Sequence, residues 1–158
     1  MADAAQGYDD AVQEPVLRAM PGGSELIAMI GHVPWFHDDE IEQLDLVSAG
    51  TSRLVLNVTL EASHVAIRSC RVTFEIAEIV ELRLEHFYRQ NVLFALRLRP
   101  AGPPAEPVLY GAEPSSGDIE MVLEPAVGME GAIRCRGVSV TYQVLRTTRA
   151  DLRSGDWP

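Results

Sequence analysis

The densest set of groups able to do chemistry lies in the run VPWFHDDEIEQLDL, Val33 to Leu46. His37, Asp38, Asp39 and Glu40 stand side by side, directly after Trp35 and Phe36. Imidazole and carboxylate groups bind divalent metals and relay protons, so a small metal-dependent hydrolase centred on His37 and Asp38 is one reading. Neighbours on a strand point to opposite faces, however, so only His37 with Asp39, or Asp38 with Glu40, would share a side. His32, His64 and His86 are scattered and supply no distant ligand motif. The favoured reading is therefore structural, with no metal. Asp38 is expected to hold the turn into the first strand by accepting backbone N–H bonds, and His37 to bond a buried carbonyl. Trp35 and Phe36 would seal one end of the core, and Glu40 completes the motif.

The same run carries a second possibility. Asp38, Asp39, Glu40, Glu42 and Asp45 form the densest acidic stretch, with no base among them. Strand alternation predicts that Asp39 and Glu42 or Asp45 are partly exposed near one edge of the sheet, and these three are the candidate partner-binding residues, with a simply solvated face as the alternative.

Other catalytic constellations are weak. Ser115 and Ser116 lie in a proline-rich stretch with no histidine near them, and no nucleophile elbow, P-loop or dinucleotide-binding glycine pattern is present. No cofactor is implied. Cys70 has Arg68 and Arg71 beside it, which favours a thiolate, yet it opens a strand pattern where a buried inert thiol is expected. Cys70 and Cys135 are the only cysteines and read as two buried thiols. Asn57-Val58-Thr59 matches a glycosylation sequon, without an export signal to make it relevant.

Composition narrows the function classes. The chain has 158 residues, 47% hydrophobic and 23% charged, as expected of one globular domain. Acids outnumber bases 23 to 13, for a formal charge of −10, and every base is arginine or the neutral-leaning histidine. That field repels nucleic acid and anionic membranes and draws basic partners in. No apolar run is long enough to span a bilayer. MADAAQGYDD has neither a basic n-region nor an apolar h-region, so a cytoplasmic location is expected.

The elements that must position these groups follow from periodicity. Residues 1–14 carry Asp3, Asp9, Asp10 and Glu14 with no base, and read as a disordered acidic tail. A short helix follows in PGGSELIAMIGH, with Ser24 as cap, Leu26, Ile27 and Ile30 on one face, and Gly31 as terminator. The period then becomes two. Leu44 and Leu46, Leu54 to Leu60, Val72 to Ile76, Phe94 to Leu98, Ile119 to Leu123 and Val138 to Val144 each alternate apolar with polar. Residues 76–87 also fit a helical face, but Val80, Leu82 and Leu84 alternate with charges, which favours a strand from about Val80 to Glu85. Residues 100–118 hold half of the ten prolines and read as a long irregular loop, with Val108, Leu109 and Tyr110 as a brief edge strand. The tail, residues 146–158, has no period.

GHVPWFHDDEIEQLDL resembles the start of the bacterial immunity protein 50 family, whose members share a short helix, a W-x-x-FHD-x-E-[VI] type motif and an alternating L-x-L strand. Here the motif reads Trp35-Phe36-His37-Asp38-Asp39-Glu40-Ile41. The similarity continues in Leu82-Arg83-Leu84-Glu85-His86-Phe87, in Gln90-Asn91-Val92-Leu93, and in Leu123 to Gly131 followed by Ile133-Arg134-Cys135, covering roughly residues 23–144. Trp35 sits directly before Phe36 where members often space them, and His86 stands where glycine is frequent. The resemblance implies an immunity protein, a non-enzymatic binder that neutralises a cognate toxin.

Together these readings predict a mostly β α+β domain over residues 15–145: a short N-terminal helix packed on a strongly curved, mostly antiparallel sheet, sandwich or open barrel-like. The expected function is capture of a basic protein toxin; a scaffold domain with another partner is the alternative. The oligomeric state is not written in the sequence.

Overall fold

The computed structural model describes residues 2–62, 66–103 and 114–148. Two helices, α1 (Ala2–Ala19) and α2 (Gly23–Ile30), precede six strands: β1 (Glu40–Asp45), β2 (Thr51–Ala62), β3 (Ala66–Glu85), β4 (Val92–Pro100), β5 (Ile119–Val127) and β6 (Glu130–Thr148). The strands form one antiparallel sheet in the order β1-β2-β3-β6-β5-β4, and its two edges meet through the pair Glu40↔Val92. The mostly β, strongly curved antiparallel fold expected from the sequence is the one observed.

Curvature comes from irregularities in the ladders. Register shifts interrupt β1 at Ile41/Gln43, β2 at Thr59/Glu61, β3 at Ile79/Glu81 and β4 at Leu93/Ala95. Each extra residue bends its strand and adds twist, which brings the edges of a six-stranded sheet together. The ambiguous stretch at 76–87 is strand to Glu85, part of a 20-residue β3 paired along its length with β6. Inside the ring lie Leu54, Leu56, Val72, Phe74, Ile76, Leu96, Leu98, Met121, Leu123 and Ile133, joined by Leu17, Met20, Leu26 and Ile27 from the helices.

Several expectations are corrected. The segment 1–14 is not a disordered tail: it is helical from Ala2, and Gln13 and Leu17 are buried. Gln13, Val16, Leu17 and Met20 recur at helical spacing, but the polar Gln13 in the apolar stripe and the acids before it mask the period. Ser24 makes no cap; Gly22, in the left-handed region at φ 84°, occupies that position. The bend there is tight because Pro21 accepts the Val140 N–H at 2.9 Å, and a Cβ on Gly22 would meet the Val140 carbonyl. Gly31 does terminate α2, donating to the Ile27 carbonyl. Phe94 faces outward because the bulge in β4 shifts the alternation, and Leu46 is exposed because β1 ends at Asp45 before it. β6 runs three residues into the expected C-terminal tail, and Val108 to Tyr110 lie outside the described residues.

Candidate functional site

The run beginning at Trp35 is the seam that closes the ring. Leu96 donates its N–H to the Trp35 carbonyl at 3.0 Å, Asp38 to Leu93 at 2.9 Å, Leu93 to Asp39 at 2.9 Å and Ile41 to Asn91 at 2.8 Å. Phe36 and Asp38 both adopt left-handed backbone, φ 58° and 62°, so the chain weaves along β4 rather than entering it as a regular strand. Where this run ends, helix α1 takes over. The Gln13 side-chain amide donates to the Pro34 and Leu96 carbonyls at 2.7 and 3.2 Å, and its oxygen accepts the Leu98 N–H at 3.1 Å. One buried glutamine thus stands in for a strand residue on the β4 edge. No sequence motif marks it; its only signal is a polar residue on the apolar face of a helix.

The side chains of the run separate. Phe36 enters the core and meets Phe74 edge-on at 5.7 Å. Trp35 is half-buried outside it, donating Nε1–H to Asp10 at 2.5 Å while the Arg97 guanidinium lies 5.3 Å from its ring centre. Phe36 therefore fills the expected sealing role, while Trp35 ties α1 to β4. His37 does not bond a buried carbonyl, and Asp38 does not cap the turn. They are exposed and pair with each other at 3.0 Å, with His37 edge-on to Phe94 at 5.1 Å. The left-handed turns rotate Asp39 inward instead. It is only 7% exposed, and its Oδ1 accepts the Thr59 N–H at 3.3 Å. Burial raises its carboxyl pKa to about 6, partly offset by the Thr59 N–H, with Asp38 adding to the rise and His37 opposing it.

The expected partner-binding trio is thus not one surface. Asp39 is buried. Glu42 is exposed, but Arg71 clasps it with two bonds of 2.9 and 2.8 Å. Asp45 is exposed and accepts from Gln43 at 2.7 Å. Glu40 is exposed, on the closing pair.

Three other features were not anticipated. A cavity of about 540 Å³ opens beneath His37, lined by Asp10, His32, Trp35, Phe36, Asp39, Val58, Leu60 and Arg68 among others. At the base of the proline-rich loop, buried Asp118 accepts from Arg134 at 2.9 Å, Arg136 at 2.6 Å and the Ser115 N–H at 2.8 Å. Burial opposes its charge, but these donors outweigh it and hold the pKa below the ordinary carboxylate value. Asp118 thus ties Ser115 to both arginines just ahead of β5. Third, the β3–β4 connection displays Phe87 and Tyr88, 67% and 57% exposed. A groove of about 350 Å³ separates them from Glu40 and Glu42. Val127 on β5 and Phe94 on β4 are further exposed apolar side chains. Glu85, His86 and Glu130 border it, with ligand atoms within 4.8 Å of one another, a spacing a metal ion would accept.

The thiols are buried and free, as expected. Burial raises both, Cys135 to about 12, which disfavours a reactive thiolate at either position. No helix among the described residues is long and apolar enough to cross a membrane.

No family model, curated protein or solved structure matches this chain. The resemblance to the immunity protein 50 family rests on the residues quoted for it, and fold and surface must carry the function.

Proposed function

We propose that this chain is a protein-binding domain of the immunity type, which captures a basic toxin without acting on it chemically. The observation that carries this reading is the exposed pair Phe87 and Tyr88, beside a groove lined by Glu40 and Glu42 and next to the cluster of Glu85, His86 and Glu130. Large aromatics are usual binding anchors, and acids at the rim speed the approach of a basic partner. The overall charge of −10 points the same way. The docking surface is thus moved from Asp39, Glu42 and Asp45 to the neighbouring β3–β4 connection, with Glu42 lining the groove beside it and Asp45 at the far end of β1.

The test is the protein encoded next to this chain in its source genome, produced with and without it. Binding, with rescue of a growth defect, is expected. The double change Phe87→Ala and Tyr88→Ala should weaken binding at least about 100-fold, the size expected of two anchors. Glu40→Arg with Glu130→Arg should mainly slow association, more so at low salt. A neighbouring product that does not bind, or that binds the aromatic double variant equally well, would remove this reading.

A further inference from the structure

Asp39 is more buried than a carboxylate should be with a single partner. Its Oδ1 accepts one backbone N–H, and among the described residues no donor reaches its Oδ2. Yet it is no sealed-in orphan, because among the described residues no buried side-chain oxygen is left both inaccessible and unbonded. The carboxyl forms part of the wall of the 540 Å³ cavity, so its second oxygen is open to whatever enters there. Around it the lining is mixed: the aliphatic Met29, Ile30, Val58 and Leu60 stand beside Asp10, His32, Thr59 and Arg68, and the polar groups present the larger surface. Trp35, also in the lining, already carries the Arg97 guanidinium over its ring, which shows that this indole accepts a cation.

A largely polar cavity with one under-bonded acid beside an aliphatic patch suits a ligand with a cationic head and a short apolar stem. We propose that this cavity binds an alkylammonium group, with Asp39 Oδ2 accepting its N–H bonds and the patch of Met29, Ile30 and Leu60 covering its stem. The proposal goes beyond toxin capture and stands without it. The group has two sources, a free amine or a lysine side chain on a partner docked at the neighbouring aromatic surface, which His37 links to the cavity rim through Phe94.

The charges facing Asp39 set the pH response. Asp38 and His37 flank it in sequence, Asp10 faces the cavity from α1, His32 from the end of α2, and Arg68 from β3. Asp10 is held by Trp35, and Arg68, exposed at the mouth, opposes a cation. An incoming ammonium, whose own pKa stays near that of lysine at about 10.4, favours the ionised carboxylate, so binding releases a proton from Asp39. With the carboxyl titrating at about 6, the ionised fraction climbs from about one tenth at pH 5 to about nine tenths at pH 7. Affinity should rise about tenfold over that range.

The experiment is an amide-resolved NMR titration of the full chain with n-butylammonium, n-butanol and N-acetyl-lysine methylamide. Butylammonium should shift the amides of Thr59, Phe36 and Asp39, and butanol of equal size should bind at least about tenfold more weakly, because it lacks the charge. Asp39→Asn, which keeps the shape and the acceptor for Thr59, should remove the difference between the two and abolish the pH dependence. Arg68→Gln should tighten butylammonium several-fold. If the lysine derivative binds at least as well as butylammonium, the side-chain source is favoured; if it does not enter, the source is a free amine. Equal binding of butylammonium and butanol, no shift at the cavity amides, or an unchanged affinity in Asp39→Asn would overturn the proposal. None of these outcomes touches the Phe87 and Tyr88 surface, so failure here is separable from failure of the toxin-binding reading.

Discussion

Asp118 and Asp39 are both buried aspartates in the wall of one ring, and they sit in opposite electrostatic situations. Asp118 is held by two guanidinium groups and a backbone N–H, which outweigh the cost of burial and lower its pKa. Asp39 has one backbone N–H, and burial wins, raising its pKa to about 6. The difference separates an acid that holds a loop in place from one left available for a ligand. It also gives opposite pH signatures. The unfolded Asp118 binds protons more readily than the folded one, so its contribution is present above its unfolded pKa and is lost as pH falls through its lowered folded value. Asp39 binds protons more readily when folded, so its contribution is favourable at low pH and is lost as pH rises from about 3.8 to about 6.

Variants can break the comparison at either side. The largest effect belongs to Asp118→Ala, which leaves Arg134 buried without its carboxylate. Chemical denaturation at pH 7 should show a loss of about 3–5 kcal/mol; a loss below about 1 kcal/mol would mean that the two arginines find other partners. Next comes Asp39→Asn, with the opposite sign. Removing a buried charge should stabilise the chain by about 1–3 kcal/mol at pH 7, and the gain should fade to nothing near pH 4, where Asp39 is already protonated in the fold. Denaturation curves at both pH values check this, and a variant equally destabilised at both would contradict the raised pKa. Gln13→Ala tests a neutral group with all its partners, between the two extremes. It strands the Leu98 N–H and should cost about 1–2 kcal/mol, with faster hydrogen exchange at that amide. The smallest change is Asp38→Asn. Asparagine tolerates the left-handed backbone, and the carboxylate is 75% exposed with only His37 as partner, so thermal unfolding should move by less than about 0.5 kcal/mol equivalent.

What the sequence revealed follows from where local pattern and tertiary position agree. Leu54 to Leu60, Val72 to Ile76 and Val80 to Leu84 alternate because a sheet face repeats every two residues, and all are strand. The pattern failed wherever the ladder slips. Strict alternation places Phe94 inward with Leu96 and Leu98, but the extra residue in β4 turns it out between buried Leu93 and Ala95. Asp38 and Asp39 were exchanged in role for a related reason: in a run of adjacent acids, facing depends on backbone turns that no side chain announces. Helix α1 is hidden in the sequence because its inward stripe includes Gln13, two of whose three partners are backbone atoms more than 80 residues away in β4. The aromatic surface was visible only as a fragment, Leu82 to Phe87, of a family resemblance. Its exposure depends on the long β3 ending at Glu85 and on the left-handed His86 that follows.

The Gln13 contact has a consequence for how the chain can be cut or fused. Strand β4 has β5 on one side; on the other it is covered in turn by β1, by the run from Trp35, and by one amide from α1. Without residues 2–19 the Leu98 N–H and the Leu96 carbonyl would face solvent at the end of an apolar strand, an open template for another molecule's strand. A truncated form should therefore self-associate through β4. An affinity tag or fusion partner attached ahead of α1 should leave the β4 edge covered only if the helix can still lay Gln13 against it.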